Sequence, residues 1–160
     1  MKTISCQFEY KIYESIEELS VPDRELMLMA VEELKNAYAP YSNFHVGAAV
    51  RLNDQSVYIG SNQENASYPL CMCGERVALY NAAANKPFVP IESLAITIKN
   101  LSMIIDKPVS PCGACRQVIS EYEFRHRQAI RILLKSDNDE VYVISSVNDL
   151  LPLGFNASFL

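Results

Sequence analysis

Three features of the chain predict an α/β fold in which helices cover a mixed sheet of five strands. Five short runs rich in β-branched and apolar residues are spaced between positions 44 and 144, and segments of helical period precede and separate them. The strand–helix–strand–helix–strand alternation in the centre then requires at least one parallel crossover pair, which buries both faces of the sheet. With 160 residues, 49% of them hydrophobic and 21% charged, the chain can close a sizeable core, and a single domain over 1–160 is expected.

The first helix starts at Ser20-Val21-Pro22-Asp23, where proline suits a first turn whose N–H groups have no helical partners. Asp23 and Glu25 sit beside the positive end of the helix dipole. Leu26, Met29, Ala30, Val31, Leu34 and Ala37 give one apolar face that ends before Pro40. Positions 44–52 and 57–59 read as strands joined by the turn Asn53-Asp54-Gln55-Ser56, and 60–69 reads as a loop. A second helix over 73–85 would pack through Val77, Ala78, Tyr80, Ala82 and Ala83. Leu94-Ala95-Ile96-Thr97-Ile98 is a buried strand, 112–122 a third helix, and 130–134 and 141–144 complete the sheet. Residues 1–19 form an N-terminal extension in which Phe8, Tyr10, Ile12 and Tyr13 would supply an additional strand or an assembly contact.

Chemistry concentrates in two motifs, Cys73-Gly74-Glu75-Arg76 and Pro111-Cys112-Gly113-Ala114-Cys115. The Cys-x-x-Cys loop lets two sulfurs face one point, and Cys73, 39 positions before Cys112, supplies a third from elsewhere in the fold. Three protein ligands leave the fourth position of a tetrahedral Zn²⁺ open, which is the mark of a catalytic rather than a structural site. Glu75 then lies close to the metal without ligating it, where a general acid/base belongs. The Cys-x-Glu … Pro-Cys-x-x-Cys order is that of the zinc deaminases. Starting helices at Cys73 and Cys112 places the thiols near partial positive charge, which favours thiolates. Three thiolates leave the site formally at −1, so a cation should stand nearby: Arg76 is the first candidate and Arg116 the second. His45 in an alternating strand and His126 in a charged run read as structural or solvated, and Cys71 falls outside the Cys-x-Glu register.

Together with Tyr38-Ala39-Pro40-Tyr41-Ser42, Phe44, Val46-Gly47-Ala48-Ala49, 62–68 and 150–155, these motifs make the chain resemble the small, homotetrameric class of cytidine deaminase over roughly residues 30–155. The resemblance implies a three-layer α/β/α fold and hydrolytic deamination of cytidine and 2′-deoxycytidine with one Zn²⁺ per chain. It implies Glu75 as the catalytic proton carrier and Arg76 as a donor to a ligand sulfur. It assigns Asn62 and Glu64 to the ribose 3′-hydroxyl, Phe44 to the face of the nucleoside, and the backbone at Gly74 and Ser110 to the edge of the base. It further implies a homotetramer with shared active sites, in which Phe155 stacks on the pyrimidine of a neighbouring subunit and Ala66 and Tyr68 make other cross-subunit contacts. Glycine at position 74 departs from the alanine usual in that family and would loosen the start of the helix beside Glu75.

Other classes fare worse. A formal charge of −5 and a pI near 5.0 argue against extended nucleic acid as a partner, since phosphates are held by basic faces. That argument weighs against deaminases of bases within polynucleotides, whose first ligand is also usually His. Deaminases of modified or antibiotic nucleosides remain a nearer alternative, although they tend to lack the arginine that follows Glu75. A non-enzymatic assembly protein stabilised by zinc would have no use for Glu75. No long apolar segment suggests a membrane partner, and five cysteines fit a reducing, cytoplasmic setting in which thiols stay available as ligands.

Overall fold

The computed structural model describes residues 1–160, which form nine main elements. In chain order these are β1 (Tyr10–Tyr13), α1 (Val21–Glu33), β2 (Phe44–Leu52), β3 (Val57–Ser61), α2 (Gly74–Asn85), β4 (Ile91–Asn100), α3 (Gly113–His126), β5 (Arg131–Lys135) and β6 (Val141–Ile144). The sheet is mixed and has six strands in the order β1-β6-β5-β4-β2-β3, rather than the expected five. The additional strand is β1, paired antiparallel with β6 at the sheet's edge. It lies in the extension whose Phe8, Tyr10, Ile12 and Tyr13 left a strand and an assembly contact open, and three of its four residues are exposed.

Alternation along the strands separates the two sides of the sheet. Ala49, Ala95, Leu133 and Val141 meet Leu26, Met27 and Ala30 of α1 on one face. Val46, Ala48, Val50, Leu94, Ile96, Ile132 and Leu134 meet Ala78, Leu79 and Ala82 of α2 and Ile119 of α3 on the other. The arrangement is therefore three-layer α/β/α. Gly47 lets α1 settle onto β2, because a Cβ there would come within 2.1 Å of the Ala30 carbonyl.

The apolar face expected for α1 is rotated from the true one. Met29 and Val31 are exposed, while Met27 is fully buried. The stripe facing the sheet includes Asp23 and Glu33, which the apolar pattern discounts. Asp23 is buried because it accepts hydrogen bonds from Arg51 (3.0 Å) and Arg131 (2.5 Å), and Glu33 accepts one from Asn36 (2.9 Å). On α2, Tyr80 is exposed and Leu79 takes the buried place instead. Helix α3 runs four residues beyond the expected 122, ending where Arg127 turns left-handed (φ 52°) and its N–H bonds the Glu123 and Phe124 carbonyls.

Strand direction is what assembles the site. β2 is antiparallel to both β3 and β4, so β3 and β4 point the same way. β3 runs into the end of the sheet where β2 starts, so α2, which follows it, begins there, and α3, which follows β4, begins at that same end. β4 and β5, linked through α3, form the expected parallel pair.

Candidate active site

Cys73 and Cys112 are the N-cap residues of α2 and α3, and neither sulfur caps its own helix. Both are thus free to face each other across the end of the sheet, and Cys115 joins them from the first turn of α3. The Cys73 and Cys112 sulfurs lie 3.9 Å apart and those of Cys112 and Cys115 3.4 Å, with all three within 4.8 Å of one another. A tetrahedral ion with Zn–S bonds of about 2.3 Å requires S···S separations of about 3.8 Å. The donor set fits Zn²⁺ in both geometry and softness.

Electrostatics around the sulfurs follow from their mutual contact, from burial and from Arg76. The Cys73 thiol is lowered to about 5, chiefly by its hydrogen bond with Cys115 and then by Arg76, whose Nη2 lies 3.6 Å from Sγ. Cys115 is shifted the opposite way by the same hydrogen bond and by burial. Arg116, the second candidate for charge compensation, contacts no sulfur. Its guanidinium donates to Pro111 O (2.7 Å), Ser110 Oγ (2.7 Å) and Leu150 O (2.9 Å), fixing the segment that leads into the Cys-x-x-Cys loop.

Glu75, in the first turn of α2, is buried, and its Oε2 has no hydrogen-bond partner. Burial, reinforced by the negative Cys73, raises its carboxyl above the ordinary carboxylate range. An unpaired buried oxygen is expensive to keep unless something outside the chain meets it.

That oxygen belongs to a residue lining a cavity of about 280 Å³, shared by Ser42, Phe44, Asn62, Glu64, Cys73, Ser110 and Cys112, with Val46, Ile96, Ile98 and Val109 as apolar walls. Of the candidate site residues, Phe44, Asn62, Glu64, Cys73, Glu75, Ser110 and Cys112 line it. Gly74 packs behind it against Val46 and Asn62. Asn62 first serves the fold: its Oδ1 accepts from Val46 N and its Nδ2 donates to Phe44 O, both at 2.8 Å, leaving one amide proton free. Glu64 accepts from Tyr41 N (2.9 Å), Ser42 N (3.3 Å) and the Ser42 hydroxyl. Ser42 is not among the sequence candidates for substrate contact; its signal is the turn before β2, where Ser42 Oγ accepts from Phe44 N (3.0 Å). Cys71 also lines the cavity, yet its sulfur bonds the Asn65 backbone and stands outside the sulfur triad.

Ala66, Tyr68 and Phe155 are not brought into this cavity. All three are exposed. Tyr68 rests edge-on against Tyr41, and Phe155 stacks on Phe159, with its carbonyl accepting from Gln117.

A three-layer fold with three sulfurs and a buried carboxylate at one sheet end defines the class of zinc-dependent hydrolytic deaminases. Residues 20–130 match the model of the cytidine and deoxycytidylate deaminase zinc-binding region, and the chain belongs to that family. Its cofactor is zinc. A cytidine deaminase of Halalkalibacterium halodurans is 39% identical over 138 residues, covering 84% of this chain and 96% of that one. One from Sporosarcina psychrophila is 38% identical over 124 residues, covering 76% and 82%. The crystal structure of cytidine deaminase from Burkholderia pseudomallei superposes with a TM-score of 0.72 at 41% identity, over 82% of this chain and 97% of that one. No helix is long and apolar enough to cross a membrane.

Proposed function

We propose that this enzyme hydrolyses cytidine and 2′-deoxycytidine to uridine and 2′-deoxyuridine with release of ammonia, acting as one domain over its whole length. The observation that carries this reading is the unpaired, buried Glu75 carboxyl beside three sulfurs at zinc-ligand spacing. Cys73, Cys112 and Cys115 would hold the metal, which when bound supplies Lewis-acid activation of water.

The protein's own groups do the rest. Glu75, with its carboxyl raised by burial, can hold a proton taken from the attacking water and pass it to ring N3, which makes C4 electrophilic. A second transfer from Glu75 to the exocyclic nitrogen lets ammonia leave as the water oxygen becomes the C4 carbonyl. Arg76 offsets negative charge at Cys73. The Ser110 and Gly74 backbone would meet the base, Phe44 its face, and Asn62 and Glu64 the ribose. The free Asn62 amide proton and the unused lone pairs of Glu64 suit a hydroxyl donor and acceptor.

Exposure of Ala66, Tyr68 and Phe155 supports a homotetramer in which each completes the site of a neighbouring chain, and the cytoplasm suits a thiolate site that needs reduced cysteines. The test follows cytidine absorbance on adding zinc-replete protein, with CMP, cytosine and the Glu75→Gln variant alongside. Conversion of the nucleosides alone, lost in Glu75→Gln, is expected. No conversion by the zinc-replete protein would sink the proposal.

A further inference from the structure

The outer edge of β1 is unpaired, since β1 stands first in the sheet and bonds only β6. Residues 1–9 make no backbone hydrogen bonds that would cover it. Natural edge strands are blunted by shortness, proline, a bulge or charge, and of these β1 has its four-residue length and a lysine that needs an acidic partner. It has no proline and pairs without a register shift. With Phe8, which lies just before the strand, β1 leaves an apolar strip in water: Phe8 is 54% exposed, Tyr10 46% and Ile12 53%, with Phe8 stacked on Tyr10 and Tyr10 packed on Tyr142.

The order of residues along this edge is complementary to its own reverse: Phe8, Glu9, Tyr10, Lys11, Ile12 runs apolar, acidic, aromatic, basic, apolar. A two-fold axis perpendicular to the sheet at Tyr10 would bring a second copy's strand antiparallel to it. Tyr10 then faces Tyr10, Phe8 faces Ile12 twice, and Glu9 faces Lys11 twice. Charge fixes the register. A shift of the axis by one residue sets Lys11 against Lys11 or Glu9 against Glu9, and like charges directly opposite are destabilising. The other free edge, β3, reads Val57-Tyr58-Ile59-Gly60-Ser61 and has no such code.

We propose that β1 is a self-pairing edge, joining the sheets of two copies of this chain into one continuous sheet of about twelve strands, six from each. This contact is independent of the zinc site and uses a part of the chain outside the family-matched residues 20–130.

Disulfide trapping in the full-length, zinc-loaded protein tests it, in a Cys6→Ser background to remove the nearby native thiol. At the axis, Tyr10→Cys sulfurs face each other across a strand pair with Cα atoms about 4.5–5.5 Å apart, within disulfide range. Lys11→Cys sulfurs sit diagonally, about 8 Å apart at Cα, beyond it. Mild oxidation should therefore link Tyr10→Cys into dimers at least about tenfold faster than Lys11→Cys. Adding Lys11→Glu to the Tyr10→Cys protein should slow linking by on the order of tenfold, and adding Glu9→Lys as well should restore it. Equal linking at positions 10 and 11, or no rescue by the charge exchange, would overturn the proposal. Far-ultraviolet circular dichroism and zinc content, unchanged across the set, tie the result to the edge.

Discussion

Asp23 and Glu75 occupy matching places and have opposite fates. Each lies in the first turn of a helix, each is buried, and each faces the sheet from one of its two sides. Asp23 is met by Arg51 and Arg131, and Arg51 in turn reaches Glu92 and the Pro22 carbonyl (2.6 Å), so α1 is tied to β2, β4 and β5. Glu75 keeps an oxygen without any partner and opens onto the cavity. A carboxylate satisfied by its own chain stabilises the fold; one left unsatisfied in a dry place stores a demand that a substrate or water can meet.

Swapping each carboxylate separates these roles. Glu75→Gln should lower kcat by on the order of 10²–10⁴-fold, the usual worth of a general acid/base, with zinc content intact and stability no lower than wild type. Steady-state kinetics with metal analysis and urea denaturation check all three. Asp23→Ala should do the reverse. Removing Asp23 takes from Arg51, whose side chain is only 5% exposed, its nearest counter-charge and leaves it Glu92 at 3.4 Å, which costs about 2 kcal/mol by urea denaturation, while kcat of the folded protein stays near wild type. A large loss of activity in folded Asp23→Ala, or a large loss of stability in Glu75→Gln, would break the contrast.

Much of the site is legible in the sequence alone, and the reason is local. Spacing within Cys-x-x-Cys and Cys-x-Glu is set by a turn at a helix start, so each pair follows from residues close in sequence. The meeting of the two motifs is different. It depends on β3 and β4 pointing the same way, which no local pattern encodes. The true face of α1 is hidden for a related reason: Asp23 is core only because Arg51 and Arg131, far along the chain, arrive to pair with it. Arg116 belongs in the same group, since its partners at Ser110, Pro111 and Leu150 are set by how the chain folds back. β1 shows its alternation in the sequence, but with three of its four residues exposed nothing local tells whether it joins this sheet or makes an assembly contact.

Two glycines beside the sulfur triad give a finer version of the comparison. By helix propensity alone Gly74 loosens the start of α2; in the structure it is a point of close approach, since a Cβ there would lie 2.9 Å from Val46 O and 3.2 Å from Asn62 N. Gly74→Ala gains up to about 1 kcal/mol of helix preference but must push α2 off β2, and overpacking of this kind costs about 1–3 kcal/mol. The expected net loss is about 1 kcal/mol, accompanied by a several-fold fall in kcat/KM because Glu75 moves with its neighbour. Gly113, between Cys112 and Cys115, has nothing within 4 Å of where its Cβ would stand. Gly113→Ala should therefore stabilise by about 0.5 kcal/mol through the unfolded chain and leave kcat/KM unchanged. Urea midpoints and kinetics on the pair decide the matter: equal responses would mean that the contact between Gly74 and Val46 yields freely, and that α2, not its seat on β2, sets the position of the carboxylate.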